Sequence, residues 1–179
     1  MKGVVFVALA EMIQGKYGHR TWNEIIEKSQ VESAGVYTAA ETYKDEEALQ
    51  LLAVISEKLS ARSDEVLSIF GIFLIKYFKK KYPQFFETNN FPDFLCSIDN
   101  IVHVEIKKLA PDSIPPKVLA TIIDSNHITV VYFSKRKLCY LAKGLIKGAS
   151  HIYGVNAEVE QTKCMHNGHE HCEFLIKIK

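Results

Sequence analysis

Several side chains in this sequence have the types and spacing that binding chemistry needs. Tyr132-x-Ser134-x-Arg136 is the first such set. Residues spaced by two project from one face of an extended strand, so the spacing predicts a row of phenol, hydroxyl and guanidinium with Arg136 near the strand end. Such a row offers neutral and charged donors to a pair of carboxylates, and arginine can grip one of them bidentately. His103 sits on the margin of an apolar helical stripe, beside Asp99 and Ile106, as a candidate imidazole ligand. A third set is Cys139, Cys164 and Cys172. Cys164 and Cys172 are symmetric about Gly168, so a hairpin with its loop at 167–169 would set them opposite one another across the ladder, with Cys139 close enough to join them. His166, in phase with Cys164 along the strand, is a candidate fourth ligand for zinc, with His169 and His171 as alternates. Reduced structural thiols or a disulfide would account for the same cysteines.

The elements that must position these groups are helices first and strands afterwards. The apolar run Val4 to Ala10 meets Glu11 at once and lacks a cleavage region, so it predicts a helix of the fold and not a signal peptide. Thr21 and Glu24 have capping-box spacing and predict a short helix opening there. A turn-rich linker around 33–43 follows, and Ala48, Leu51, Leu52, Ile55 and Leu59 mark one face of a helix over 45–59. The stretch 66–78 has almost no polar side, predicting a buried helix that ends at Lys79-Lys80-Lys81 with Pro83 beyond. One continuous helix is expected from Pro92 to Leu109, carrying His103 and broken by Pro111 to Pro116.

Two hairpins are expected after that break. The first pairs 118–123 with 128–133 around Asp124-Ser125-Asn126, and the second pairs 155–164 with 172–178 around Asn167-Gly168. Between them a helix over 138–152 carries Gly144 and Gly148, small residues that allow close approach to the sheet or a bound group. Helices followed by ββαββ predict an α+β fold with an antiparallel sheet.

With 179 residues, 47% hydrophobic and 24% charged, the chain has the makeup of a single soluble globular unit, which excludes disordered and collagen-like classes. Lysine and arginine number 22 against 21 acidic residues, so the total charge carries no footprint for nucleic acid or an anionic membrane. No apolar stretch approaches the roughly 18 residues of a membrane span. Four cysteines without an export signal predict reduced thiols or a metal, in the cytoplasm.

Taken together, the helical histidine, the Pro-Pro break and the Tyr-x-Ser-x-Arg triplet resemble the heme nitric oxide/oxygen-binding (H-NOX) domain family, of the stand-alone bacterial type. That family is related to the heme domain of soluble guanylate cyclase. The likeness runs through Met1-Lys2-Gly3, Glu11-Met12, Phe70-Gly71, Ile101-Val102-His103, Lys108-Leu109, Pro115-Pro116 and Gly144-Leu145-Ile146-x-Gly148. It implies one domain over 1–179, with a distal helical subregion at 1–65 and a proximal subregion at 66–179 whose sheet helps enclose a b-type heme. It also implies that His103 is the proximal iron ligand, that Tyr132, Ser134 and Arg136 hold the propionates, that Pro116 presses on the porphyrin, and that Leu141 and Leu145 lie against the heme.

Oxygen-binding relatives place a tyrosine on the helix after the clamp. Alignment through Arg136 and Gly144 puts Leu141 at that position, with Tyr140 one residue off and turned away by roughly 100°, and Leu9 and Leu74 are aliphatic too. The resemblance therefore implies a nitric oxide sensor, able to take carbon monoxide, that excludes oxygen. Nitric oxide on ferrous heme would weaken or break the bond to His103 and shift its helix. The partner would be a sensor histidine kinase, a diguanylate cyclase or a phosphodiesterase. No enzymatic activity is expected, because no spacing specifies a distal acid/base pair or a general base beside the thiols. Some family members bind zinc through cysteines at these positions and a histidine just before the second; here Gln161-Thr162-Lys163 departs from that pattern. The competing expectation is a thiol or zinc redox sensor built on Cys139, Cys164 and Cys172.

Overall fold

The computed structural model describes residues 1–179, apart from the side chain of Leu109. In chain order come α1 (Gly3–Tyr17), α2 (His19–Ser29), α3 (Asp45–Lys58), α4 (Ser63–Lys81), α5 (Phe91–Ser97), a π-helical turn (Ile98–Val102) and α6 (His103–Leu109). Then follow β1 (Lys117–Ile122), β2 (His127–Phe133), α7 (Cys139–Ile152), β3 (Ala157–Lys163) and β4 (Cys172–Ile178). The strands form one antiparallel sheet in the order β1-β2-β4-β3. This is the expected α+β architecture. Among the described residues no helix is long and apolar enough to cross a membrane.

Two apolar cores organise the chain. Phe6, Leu9, Ile13, Trp22, Leu51 and Phe70 tie α1 to α4 together, while Phe91, Leu95, Val130, Ile146, Phe174 and Ile176 pack α5 and α7 on one face of the sheet. Leu145 packs against both cores. The two halves meet where α4 crosses α7. A Cβ on Gly144 would collide with the Ser68 carbonyl, one on Gly71 with the Leu141 carbonyl, and one on Gly148 with Ile75. The glycines of α7 therefore serve contact with α4, not with the sheet.

Local departures from the sequence reading have identifiable causes. α2 opens at His19 after Gly18 (φ 87°), and Thr21 lies inside it, its hydroxyl donating back to the Tyr17 carbonyl at 2.8 Å. The helix expected over 92–109 is interrupted: the His103 N–H reaches back five residues to the Ile98 carbonyl. Widened turns of this kind concentrate at functional positions. In the second hairpin the loop is longer than expected. β3 ends at Lys163, paired with Glu173 after a register shift between Gln161 and Lys163, so Cys164 falls one residue beyond the ladder, while Cys172 of the central strand β4 pairs on its other side with Tyr132 of β2.

Candidate cofactor site

Tyr132 stands on the core-facing side of β2, 5% exposed. Burial pushes its phenol up to about 12, against the opposing pull of the neighbouring Ser134. β2 ends at Phe133. Beyond it the Ser134 hydroxyl accepts the Arg136 N–H at 3.3 Å, and the Lys137 N–H donates to the Ser134 carbonyl at 3.0 Å with Lys137 at φ 50°. Arg136 therefore stands on a turn, not on the strand as predicted, because a serine hydroxyl captures the backbone two residues on.

That turn aims Arg136 at the start of α3. Its Nε donates to Asp45 Oδ2 at 2.8 Å and its Nη1 to the Ile114 carbonyl at 2.7 Å. The other Asp45 oxygen lies 2.9 Å from the N-terminal amine. Burial works against the charge on Asp45, but hydrogen bonds from Arg136 and the amine outweigh it and hold the carboxyl below its ordinary value.

Beside this corner opens a cavity of about 290 Å³. Val5 and Leu9 of α1, Leu52 of α3, Phe70 of α4 and Leu141 of α7 form apolar walls, and Lys135, Arg136 and Asp45 stand at its polar end. Among the described residues that line it there is no tyrosine, tryptophan or histidine. Tyr140 is half-buried with its ring stacked on His166, centroids 6.2 Å apart.

His103 opens α6, with its side chain 14% exposed and Nδ1 3.4 Å from Asp99 Oδ1. Burial lowers its pKa from the ordinary value, partly offset by Asp99. The imidazole is thus neutral at pH 7, the form that carries a lone pair for a metal. His103, Pro116, Tyr132, Ser134 and Leu145 do not border the cavity; of the predicted set, Arg136 and Leu141 do.

The thiols converge elsewhere. Cys139 at the start of α7, Cys164, and Cys172 at the start of β4 are buried, with all three Sγ atoms within 4.8 Å of one another. Burial pushes the Cys139 thiol up to about 12 and raises that of Cys172. His166 is not among them. A 3-10 turn at Met165–Asn167 takes it out of phase with Cys164, and its Nε2 lies 2.9 Å from the Lys137 carbonyl. The predicted fourth ligand is therefore absent from the cluster among the described residues, and His169 and His171 do not join it either.

The profile of the Haem-NO-binding family matches residues 2–161. The chain belongs to that family. Its fold is that of the H-NOX protein from S. oneidensis in the Fe(II)NO state, with TM-score 0.94 and 27% identity over 100% of this chain and 99% of that one. It also matches the Fe(II) unliganded H-NOX protein from K. algicida, with TM-score 0.90 and 28% identity over 100% and 97%. Soluble guanylate cyclase 89Db of Drosophila melanogaster is 26% identical over 161 residues, 87% of this chain but 24% of that protein's length. The chain thus spans about a quarter of the cyclase it matches.

H-NOX membership implies a heme, and the donor set suits one. The cavity is an apolar pocket whose polar end sets Lys135 and Arg136 beside Asp45 and Glu46, so one edge offers cationic donors that could meet the carboxylates of a flat macrocycle. His103, outside the cavity lining, offers a largely buried imidazole. Asp45, Asp99 and the N-terminal amine escaped the sequence reading as site residues; no local pattern links Asp45 to Arg136 across 91 residues.

Proposed function

We propose that residues 1–179 form one heme-based nitric oxide sensor that reports to a separate signalling protein. The observation that carries this reading is the cavity, with its aliphatic and aromatic walls and its arginine corner. Heme, when bound, supplies a ferrous iron that takes a diatomic gas. His103 would hold that iron through Nε2. Arg136, Tyr132 and Ser134 would meet the carboxylates, Pro116 and Leu145 would bear on the ring, and Leu141 would face the gas.

Leu9, Phe70 and Leu141 offer no hydrogen to a bound ligand. Iron-bound oxygen, which carries partial negative charge, depends on such a donor; nitric oxide does not. Relatives from S. oneidensis described in Fe(II)NO and Fe(II)CO states support nitric oxide and carbon monoxide as ligands. His103 sits on a short helix between a π turn and the Pro115-Pro116 loop, a segment that would be free to shift if its hold on the iron weakened. A coupling energy of about 1–3 kcal/mol would suffice to alter a partner's affinity. A cytoplasmic histidine kinase, diguanylate cyclase or phosphodiesterase is the proposed partner class, with this chain itself non-catalytic.

The converging thiols favour a second reading. Cys139, Cys164 and Cys172 can supply three sulfur ligands to zinc, or pair on oxidation, and so act as a redox sensor.

An absorption spectrum of the reduced protein before and after nitric oxide tests the first reading. The expected result is a five-coordinate ferrous spectrum that changes on adding the gas. Protein that stays colourless after expression with ample porphyrin would overturn it. Metal analysis of protein purified without chelator tests the second, with zinc near one per chain expected of a metal site.

A further inference from the structure

We propose that Asp99 is a positioning residue that holds the Nδ1 proton of His103 and ties the π-helical turn to β1, so that Nε2 is left as the ligand atom and displacement of His103 pulls on the strand after Pro116. The ligand half of this proposal rests on the heme reading of His103. The strand half does not.

A single carboxylate oxygen makes both contacts. Asp99 Oδ1 lies 3.4 Å from His103 Nδ1 and accepts the Val118 N–H at 3.2 Å. An ionised carboxylate only accepts, so the imidazole contact requires its proton on Nδ1 and leaves the lone pair on Nε2. Metal-bound histidines commonly donate their other ring N–H to a carboxylate, which fixes the ring and makes it a stronger ligand.

The second contact closes an exposed sheet edge. β1 has β2 on one side only, and the Val118 N–H points away from β2 toward Asp99. Two residues on, the Ala120 carbonyl lies 3.8 Å from the Cys96 sulfur of α5. The edge of β1 is thus docked on the α5 and π-turn segment at two successive outward groups, and one of them is shared with His103. The widened turn at Ile98–Val102 places Asp99 between the imidazole and the strand.

Two variants separate the contributions. Asp99→Asn keeps the shape and one acceptor oxygen but removes the charge, and Asp99→Ala removes both contacts. In the ferrous heme-loaded protein, resonance Raman should show the iron–histidine stretch at lower frequency in Asp99→Asn and lower again in Asp99→Ala. Heme transfer to apomyoglobin should be about 10-fold faster from the alanine variant. Amide exchange at Val118 should quicken roughly 5-fold in Asp99→Ala and stay near wild type in Asp99→Asn. An iron–histidine band at the same frequency in all three proteins would overturn the positioning of His103. Val118 exchange unchanged in Asp99→Ala would overturn the tie to β1. If the wild-type protein takes up no heme, the ligand half falls together with the heme reading, while Val118 exchange in the heme-free protein still decides the strand half. Should Asp99→Ala fail to fold, the Raman band of Asp99→Asn alone decides the ligand half.

Discussion

Arg136 and Asp45 form an ion pair, Nε to Oδ2 at 2.8 Å, that joins the turn after β2 to the first residue of α3. Asp45 is shared with the N-terminal amine, so two cations hold one carboxylate at the corner of the apolar cavity. An acidic ligand arriving there meets an arginine whose Nε and Nη1 are engaged and must recruit its remaining donors or displace Asp45.

Arg136→Ala should therefore weaken retention of a carboxylate-bearing heme. Hydrogen bonds to charged groups contribute about 1.5–3 kcal/mol, so loss to apomyoglobin should quicken roughly 10- to 100-fold. An unchanged rate would remove Arg136 from the clamp.

Asp45 makes acid stability a second readout of the same corner. Its carboxyl is held below the ordinary value although burial opposes this, so its contribution is present above the unfolded pKa of about 3.9 and is lost as pH falls through the lower folded value. Asp45 is 40% exposed, so screening keeps the pair below about 1 kcal/mol. Urea unfolding of the heme-free protein should show Asp45→Asn less stable than wild type at pH 7, with the gap narrowing as pH falls below the unfolded carboxyl value.

Much of the scaffold was legible because its cause is local. The one-sided stripe of α3, the nearly continuous apolar run of α4 and the Asp124-Ser125-Asn126 turn between β1 and β2 each act within a few residues; the Asn126 N–H, for instance, meets Asp124 Oδ1 at 2.8 Å. What escaped depends on contacts between distant segments. Periodicity cannot register the contact of Asp99 with Val118 nineteen residues on. The triplet Tyr132, Ser134 and Arg136 was visible from residue type, but the strand was expected to run on through it. Whether Ser134 continues a strand or folds its hydroxyl onto Arg136 N–H is a contest between a ladder bond and a turn, and the turn prevails. His166 was misplaced for a similar reason, since extending strand phase beyond Lys163 ignored the 3-10 turn.

The contact between α4 and α7 sets two energies against each other in Gly144→Ala. Replacing a mid-helix glycine by alanine gains about 1 kcal/mol of helix propensity. Here the new methyl would meet the Ser68 carbonyl at a separation no real Cβ adopts, and overpacking typically costs about 1–3 kcal/mol, or more against backbone. Net destabilisation is expected in urea unfolding. Gly15→Ala, where nothing lies within 4 Å, should instead be neutral or stabilising.

Thiol reactivity should divide the cysteines by burial. Cys96 is partly exposed, whereas Cys139, Cys164 and Cys172 are buried. Under native conditions an alkylating reagent should modify Cys96 first and the other three on the order of 10-fold or more slowly, because they need local opening. Peptide mass spectrometry over time reads the order. Rapid modification of Cys139 would contradict the buried cluster.

The proposed gas selectivity rests on Leu141, which lines the cavity from α7 while its neighbour Tyr140 stacks on His166 outside it. If the missing donor is what excludes oxygen, supplying one should restore oxygen binding. Leu141→Tyr places a phenol on the cavity side of α7, and a hydrogen bond to charged or partly charged oxygen is worth about 1.5–3 kcal/mol, roughly 10- to 100-fold in affinity. Aerobic spectra of the reduced wild type should show no stable oxygen complex, and those of Leu141→Tyr should show one that decays more slowly. Tyr140→Phe should leave the wild-type spectra unchanged, since that hydroxyl lies outside the cavity. A stable oxygen complex in the wild type that disappears in Tyr140→Phe would transfer the distal role to Tyr140 and reverse the predicted selectivity.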